Sequence, residues 1–113
     1  DALERITAEL DRQGVRPPCV VTGREAVRIA FRAGCSSRQA GGHDGSITVP
    51  GLRAAADVRP VAVLVSGGAG PPGYARDWRS RPLPDLDSLR DFRVYLSPTA
   101  KPARSQYAAG REP

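Results

Sequence analysis

The sequence predicts a small α+β domain in which two helices pack on a three- or four-stranded sheet. Its 113 residues suit one domain with a single core. Two segments carry apolar residues at helical spacing, and "VAVLV" at 61–65 is apolar without alternation, as in a strand buried on both faces. We expect residues 1–96 to form the domain. Residues 97–113, rich in Pro, Ala and Arg, are expected to form a tail or an extended arm.

The first helix is predicted over residues 1–13, because Leu3, Ile6 and Leu10 recur at i, i+3 and i+7. Asp1 and Glu4 have the spacing of a capping box, and a glycine at position 14 stops the helix. The proline pair at 17–18 then breaks the chain before "CVV", which suits a short buried strand.

The second helix is predicted from about residue 23 to residue 33. In "TGRE", Thr22 is placed as the N-cap and Glu25 at the third helical position, and Gly34 is the C-terminal stop. The apolar residues, Val27 and Phe31 among them, are expected to bury most of one side.

Three arginines, Arg24, Arg28 and Arg32, follow one another at intervals of four along this helix and form a row on its other side. Like charges at this spacing repel each other slightly. The row is therefore easier to understand if an anionic partner faces it.

The remaining elements are shorter. "SITV" at 46–49 predicts a short strand, and "GLRAAADV" at 51–58 a turn or two of helix. "DLDSLRDF" at 85–92 allows one helical turn, and "FRVYL" at 92–96 alternates as a strand with one wet face. This order of helices and strands fits helices packed on one sheet.

"IAFRAGCSSRQA", residues 29–40, resembles the first half of a helix-turn-helix motif of the DNA-binding kind. Ala30 precedes the turn glycine, Gly34, by four residues, and Ser36 opens the second helix of the motif. The resemblance implies that Ser36, Ser37, Arg38 and Gln39 face bases or phosphates. It also makes a winged helix the alternative fold.

A glycine-rich turn, "SGGAGPPGY" at 66–74, follows the buried strand at 61–65. It matches the letters of a dinucleotide fingerprint, but it lacks the lysine and the hydroxyl of a phosphate loop, and Pro71 and Pro72 remove two N–H donors. We interpret it as the end of a core strand. A small enzyme that uses this loop is therefore the least favoured function, and no catalytic residue or cofactor is predicted.

The chain is basic, with a formal net charge of +5 and a pI near 10. All but one of its 17 basic residues are arginines, whose planar fork suits phosphate and carboxylate; GC-rich coding is the alternative explanation. The leading hypothesis is a non-enzymatic binding module for an anionic partner, nucleic acid first or else an acidic protein surface. The predicted nucleic-acid-binding residues are Arg24, Arg28, Arg32, Ser36, Arg38, Gln39, Arg76, Trp78, Arg79 and Arg81, with Tyr74 as a second stacking platform.

A second hypothesis is a protein interaction or scaffolding domain whose arm, residues 97–113, lies on a neighbour. The only tryptophan, Trp78, has two interpretations as well. It stacks on bases, or it covers the edge of the core.

The two cysteines match no zinc spacing, and no metal site is predicted. If the second helix folds back along the strand before it, Cys35 returns close to Cys19, so the two can form a disulfide in an oxidising compartment. The alternative is two buried thiols in a reducing cytosol. No apolar run approaches the roughly 20 residues of a membrane helix. We expect a cytoplasmic protein without membrane contact; secretion or excision from a longer chain stays open.

Overall fold

The computed structural model of the protein describes residues 1–43 and 45–103. The predicted α+β class is confirmed, with three helices and five strands in the described residues. The helices are α1 (Ala2–Arg12), α2 (Ala26–Ala33) and α3 (Val49–Val58). The strands are β1 (Val20–Gly23), β2 (Ser36–Ser37), β3 (Val61–Val65), β4 (Arg79–Pro82) and β5 (Arg93–Leu96), and a 3₁₀ turn spans Gly73–Ala75.

The five strands form one mixed sheet in the order β2-β1-β3-β5-β4. Strand β1 is parallel to both β2 and β3, whereas β5 is antiparallel to β3 and β4. Helix α2 connects β1 to β2 on one side, and α3 then carries the chain across to β3 on the other side. The carboxyl ends of β1 and β3 therefore flank a topological switch point, the place where open α/β sheets bind ligands.

The core has two parts, one on each face of the sheet, because successive strand residues point to opposite faces. On one face, Ile6 and Leu10 of α1 and Ile29 of α2 pack with Val21 and Leu64. On the other face, α3 contributes Leu52 and Ala56, which pack against alternate residues of β1 and β3 (Val20, Val61, Val63 and Val65). Helices α2 and α3 thus cover opposite faces.

The helix ends predicted from the sequence are found at the start of α1 and at the end of α2, but not at the start of α2. The capping box of Asp1 and Glu4 is present, and Gly34 ends α2 with a φ of 76°. The capping box predicted for "TGRE" is wrong, because Thr22 lies in β1 opposite Val63, and Glu25 precedes α2 without a side-chain cap. Strand pairing with β3 extends β1 through Gly23, which has a φ of 98° and where a Cβ would collide with the backbone of Leu64.

The helix-turn-helix prediction and the winged-helix alternative are wrong. Ser36 and Ser37 do not open a second helix, because they form β2 and pair in parallel with Val20 and Val21. The predicted strand over "SITV" is also wrong: Thr48 caps α3 by accepting a hydrogen bond from the N–H of Gly51. The helical turn over 85–92 is replaced by a tight turn.

The fold extends beyond the boundary predicted at residue 96. Ser97 and Ala100 are buried, and the Ser97 hydroxyl accepts a hydrogen bond of 2.8 Å from the N–H of Val61. Gly14, at a φ of 91°, lies so close to the backbone of Lys101 that a Cβ would collide with it. Residues 97–103 are therefore docked on the domain, and the rest of the predicted arm, 104–113, lies outside the described residues.

Candidate nucleic-acid interface

A groove of about 700 Å³ runs beside α3 on the face of the sheet that this helix covers. We call it the α3 groove. One wall is α3, the second is the segment that contains the 3₁₀ turn, and the third is the chain that follows β5. The lining residues are Arg53, Ala56, Asp57, Gly73, Tyr74, Arg76, Asp77, Trp78, Pro98, Thr99 and Lys101.

The walls of the α3 groove are fixed by packing and hydrogen bonds. Arg53 and Asp57 are exposed at i and i+4 on α3, since Leu52 and Ala56 bury the opposite side of the helix. The Thr99 hydroxyl lies 2.7 Å from the carbonyl oxygen of Ala56 and 2.9 Å from that of Arg59. Its single O–H donates to one of these two oxygens at a time, at the end of the helix where carbonyls have no partner from within it, and so ties the third wall to the end of α3.

Two aromatic side chains border the α3 groove. The rings of Tyr74 and Trp78 meet edge to face with centroids 5.8 Å apart and an interplanar angle of 76°. Both are half-buried against the core on the α3 side, and burial raises the pKa of Tyr74. Trp78 covers the edge of the core, as one of its two interpretations expected, and it also lines the groove.

Five charged side chains line the α3 groove, the cations Arg53, Arg76 and Lys101 and the carboxylates Asp57 and Asp77. Within the described residues none of the five forms an ion pair. These five side chains therefore carry a net charge of +1.

Arg79, which the sequence predicts to bind nucleic acid, has its guanidinium engaged within the protein. Its guanidinium donates hydrogen bonds to the side-chain oxygen of Gln13 at 2.5 Å and to its carbonyl oxygen at 3.0 Å. A third bond, of 2.9 Å, reaches the carbonyl oxygen of Ala100. Arg79 thus joins the end of α1 to the docked segment 97–103, and burial lowers its pKa.

The predicted row of three arginines on one helix is wrong, because α2 begins at Ala26 and Arg24 lies in the turn before it. Helix α2 itself lies on the opposite face of the sheet from the groove. Arg28 is engaged there, with its guanidinium 3.0 Å from Asp87 and 3.5 Å from Glu25, whereas Arg24 and Arg32 are exposed. The expected burial of Val27 and Phe31 is wrong: their exposed fractions are 69% and 85%, because only Ala26, Ile29 and Ala30 of this helix are buried.

The other predicted residues are dispersed. Ser36 and Arg38 are exposed at β2 and just after it, and Arg81 is exposed on the edge strand β4. Gln39 donates a hydrogen bond of 3.0 Å from its side-chain amide to the carbonyl oxygen of Gly23. Of the ten predicted residues, the groove brings together Arg76 and Trp78, with Tyr74 beside them.

Two basic residues of the groove, Arg53 and Lys101, were not predicted as site residues from the sequence. Each is more than twenty positions from Arg76, and neither stands in a motif. Only the topology, which sets α3 beside the 3₁₀ turn and the docked segment 97–103, brings them together.

The glycine-rich turn is the end of a core strand, as its sequence predicts, since all five residues of β3 are buried. The N–H of Gly67 donates to the carbonyl oxygen of Arg90 at 2.7 Å, and that of Ala69 to Ser66 at 3.2 Å. A three-residue 3₁₀ turn follows in place of a full helix. Two N–H groups that a phosphate cradle would need are therefore occupied within the protein.

Cys19 and Cys35 form a disulfide, with their Cα atoms 4.7 Å apart. It joins the residue before β1 to the residue before β2. In the described parts of the chain, no helix is long and apolar enough to cross a membrane, and no group of three metal-binding side chains gathers.

Comparison with models of protein families, with curated proteins and with solved structures finds no match to this chain.

Proposed function

We propose that the protein is a nucleic-acid-binding module that holds a single strand in the α3 groove. The observation that carries the proposal is the set of three cations, Arg53, Arg76 and Lys101, that form no ion pair with any described residue and lie beside Trp78 in one concave site. Proteins that bind single strands combine a basic groove with aromatic side chains on which bases stack.

Each part of the groove has a role in this proposal. Arg53, Arg76 and Lys101 neutralise phosphates, and the two guanidinium groups do so with paired donors. Trp78 offers an indole face to a base. Asp57 and Asp77 accept hydrogen bonds from exocyclic amino groups, the pairing that carboxylates make with cytosine. A flexible single strand suits the groove better than a duplex, because its bases reach an aromatic side chain without first unpairing.

The proposal is tested by fluorescence anisotropy of labelled single-stranded RNA and DNA at two salt concentrations. The double variant Arg53→Gln/Arg76→Gln is expected to bind more weakly and to lower the slope of log K against log salt by about 1.4, at about 0.7 for each lost phosphate contact. The matched control is Arg24→Gln/Arg32→Gln, which removes the same charge from the α2 side and leaves affinity and slope unchanged.

Two results would overturn the groove as the binding surface. One is an absence of binding by the wild-type protein at low salt. The other is a reversed pattern, in which Arg24→Gln/Arg32→Gln weakens binding and the groove variant does not.

A second function, a protein interaction, is favoured by the exposed face of α2. Val27 and Phe31 lie at i and i+4 of α2 and are 69% and 85% exposed, and the exposed Arg32 follows Phe31 in the same helix. An exposed apolar pair with a cation next to it fits an acidic amphipathic helix. A second copy of this chain fits poorly, because the arginines of the two faces would repel each other.

This second function is tested with a glutamate-rich amphipathic model peptide and its lysine-substituted counterpart. We expect the acidic peptide to bind the wild-type protein and the Phe31→Ser variant to lose most of that binding. Equal binding of the two peptides, or unchanged binding by Phe31→Ser, would remove α2 as a docking surface.

We infer further that the protein works in an oxidising compartment rather than in the cytoplasm. The Cys19–Cys35 disulfide supports this, because such bonds persist in secreted and periplasmic proteins and are rare in a reducing cytosol. Thiol labelling of the protein in cell extracts, quenched with acid, is the test. We expect both thiols to be blocked, and complete labelling would contradict the inference.

A further inference from the structure

A second cavity, of about 610 Å³, lies at the carboxyl ends of β1 and β3, where the topology places the switch point. We call it the switch-point cleft. It goes beyond the proposed function, because it is lined by a different set of residues and shares only Gly73 and Tyr74 with the α3 groove. Its other lining residues are Thr22, Gly23, Gln39, Ala40, Gly41, Val49, Val63, Leu64, Val65 and Pro72.

The walls of the switch-point cleft are mainly apolar. Val63 and Val65 of β3, Val49 at the start of α3, Pro72 and the ring of Tyr74 form most of the surface. No charged side chain of the described residues lines it. Its volume lies within the range of roughly 300–1,000 Å³ that small-molecule sites occupy, so a neutral and largely apolar ligand fits the cleft better than a charged one.

Within the described residues, one hydroxyl of a buried residue in this cleft has no partner. Thr22 is 3% exposed, and its hydroxyl makes no hydrogen bond with any residue in 1–43 or 45–103. In the same residues, every fully enclosed side-chain nitrogen or oxygen has a partner. The hydroxyl of Thr22 therefore has to face the open space of the cleft. A hydroxyl that faces the cleft and has no partner among the described residues can donate to, and accept from, a ligand bound there.

A second polar group lies at the same end of the cleft. The side-chain amide of Gln39 is held by its hydrogen bond to the carbonyl oxygen of Gly23, the neighbour of Thr22. This bond uses one N–H and leaves the side-chain oxygen and the other N–H for a ligand. Thr22 and Gln39 together offer both donors and acceptors beside an aromatic ring. An edge with alternating donors and acceptors on a flat ring is the chemistry of a nucleobase.

We propose that the switch-point cleft binds the uncharged heterocyclic ring of a nucleoside, with its polar edge on Thr22 and Gln39 and its faces against the apolar walls. This binding does not require a strand in the α3 groove. It can therefore be tested apart from the proposed function, and either one can fail alone.

The test is an NMR titration of the full chain with adenosine, guanosine, cytidine and uridine, followed at the backbone amides of Gly23, Gln39 and Gly73. We expect at least one nucleoside to cause saturable shifts at millimolar concentration or below. In the Thr22→Val variant, which keeps the shape and removes the hydroxyl, the same nucleoside should bind about tenfold more weakly. Thr22→Ser, which keeps the hydroxyl, should bind within a few-fold of the wild type. Thr7→Val, the same change on α1, is the control and should bind as the wild type does.

The melting temperature of Thr22→Val provides a readout independent of the ligand. Because the hydroxyl has no partner to lose among the described residues, we expect this variant to melt no lower than the wild type. A clearly lower melting temperature would assign the hydroxyl a structural role and count against the cleft as a binding site. Wild-type affinity in Thr22→Val would also overturn the proposal, as would an absence of saturable shifts with all four nucleosides.

Discussion

Reduction of the Cys19–Cys35 disulfide is expected to lower the free energy of unfolding by about 3 kcal/mol. The two cysteines are 16 residues apart in the chain, and the bond closes a loop that contains β1 and α2. In the chain-entropy model, a loop of this length removes about 10 cal/mol/K from the unfolded ensemble, which is about 3 kcal/mol at 25 °C. Cys19 is buried in the core and Cys35 packs against it, so the native packing changes little on reduction.

The assay is urea unfolding followed by far-UV circular dichroism, with and without a thiol reductant. We expect a lower midpoint and a larger m value in the reduced protein, because its unfolded chain is less compact and exposes more surface. The control is the double variant Cys19→Ala/Cys35→Ala, whose unfolding should not respond to the reductant. A loss below about 1 kcal/mol in the reduced protein would refute the entropic reasoning.

Three further predictions concern single residues. Ile29→Ala should destabilise the fold by about 2–5 kcal/mol, whereas Phe31→Ala, two positions along the same helix, should change stability by less than about 0.5 kcal/mol; urea unfolding of both variants checks this contrast. Arg79→Met should cost about 2 kcal/mol in the same assay, because it leaves carbonyl oxygens of Gln13 and Ala100 unpaired, and an unchanged midpoint would contradict that role. Because the pKa of Tyr74 is raised in the folded protein, ionisation of this side chain favours the unfolded state: the stability is fully present below about pH 10 and is lost as the pH rises through the raised pKa. A Tyr74→Phe variant should lack this alkaline loss of stability, and identical alkaline unfolding curves for the variant and the wild type would refute the prediction.

The fold class was predictable because its main signals depend on burial. The helical spacing of Leu3, Ile6 and Leu10 predicts a buried helix face, and the structure places these residues in α1. The continuous apolar run "VAVLV" predicts a buried strand, and the structure places it in β3. The local signals in "TGRE" failed for a tertiary reason. Thr22 and Gly23 pair with β3 instead of capping a helix, and the sequence does not show that β3 lies beside them.

The twelve-residue resemblance to a helix-turn-helix failed for a similar reason. A small residue before a turn glycine is common to many helix ends, and here the serines after that turn pair with β1. The exposure of Phe31 was also not predictable, because the apolar pattern of α2 does not reveal that only one narrow side of the helix meets the sheet.

The candidate sites were predictable only where their residues are close in sequence. Tyr74, Arg76 and Trp78 lie within five positions and were singled out together. Arg53 and Lys101 come from other elements, and Thr22 is recognisable as a candidate only once the fold shows that it lines the switch-point cleft. Sequence separation, rather than residue type, limited the prediction.

The measurement that tests the central claim most directly is the intrinsic fluorescence of Trp78, the only tryptophan of the chain, during titration with a single-stranded oligonucleotide. If bases stack on Trp78 in the α3 groove, its emission falls as the strand binds and recovers when salt releases the strand. Unchanged emission while the anisotropy of the labelled strand reports binding would place the strand elsewhere and contradict the account.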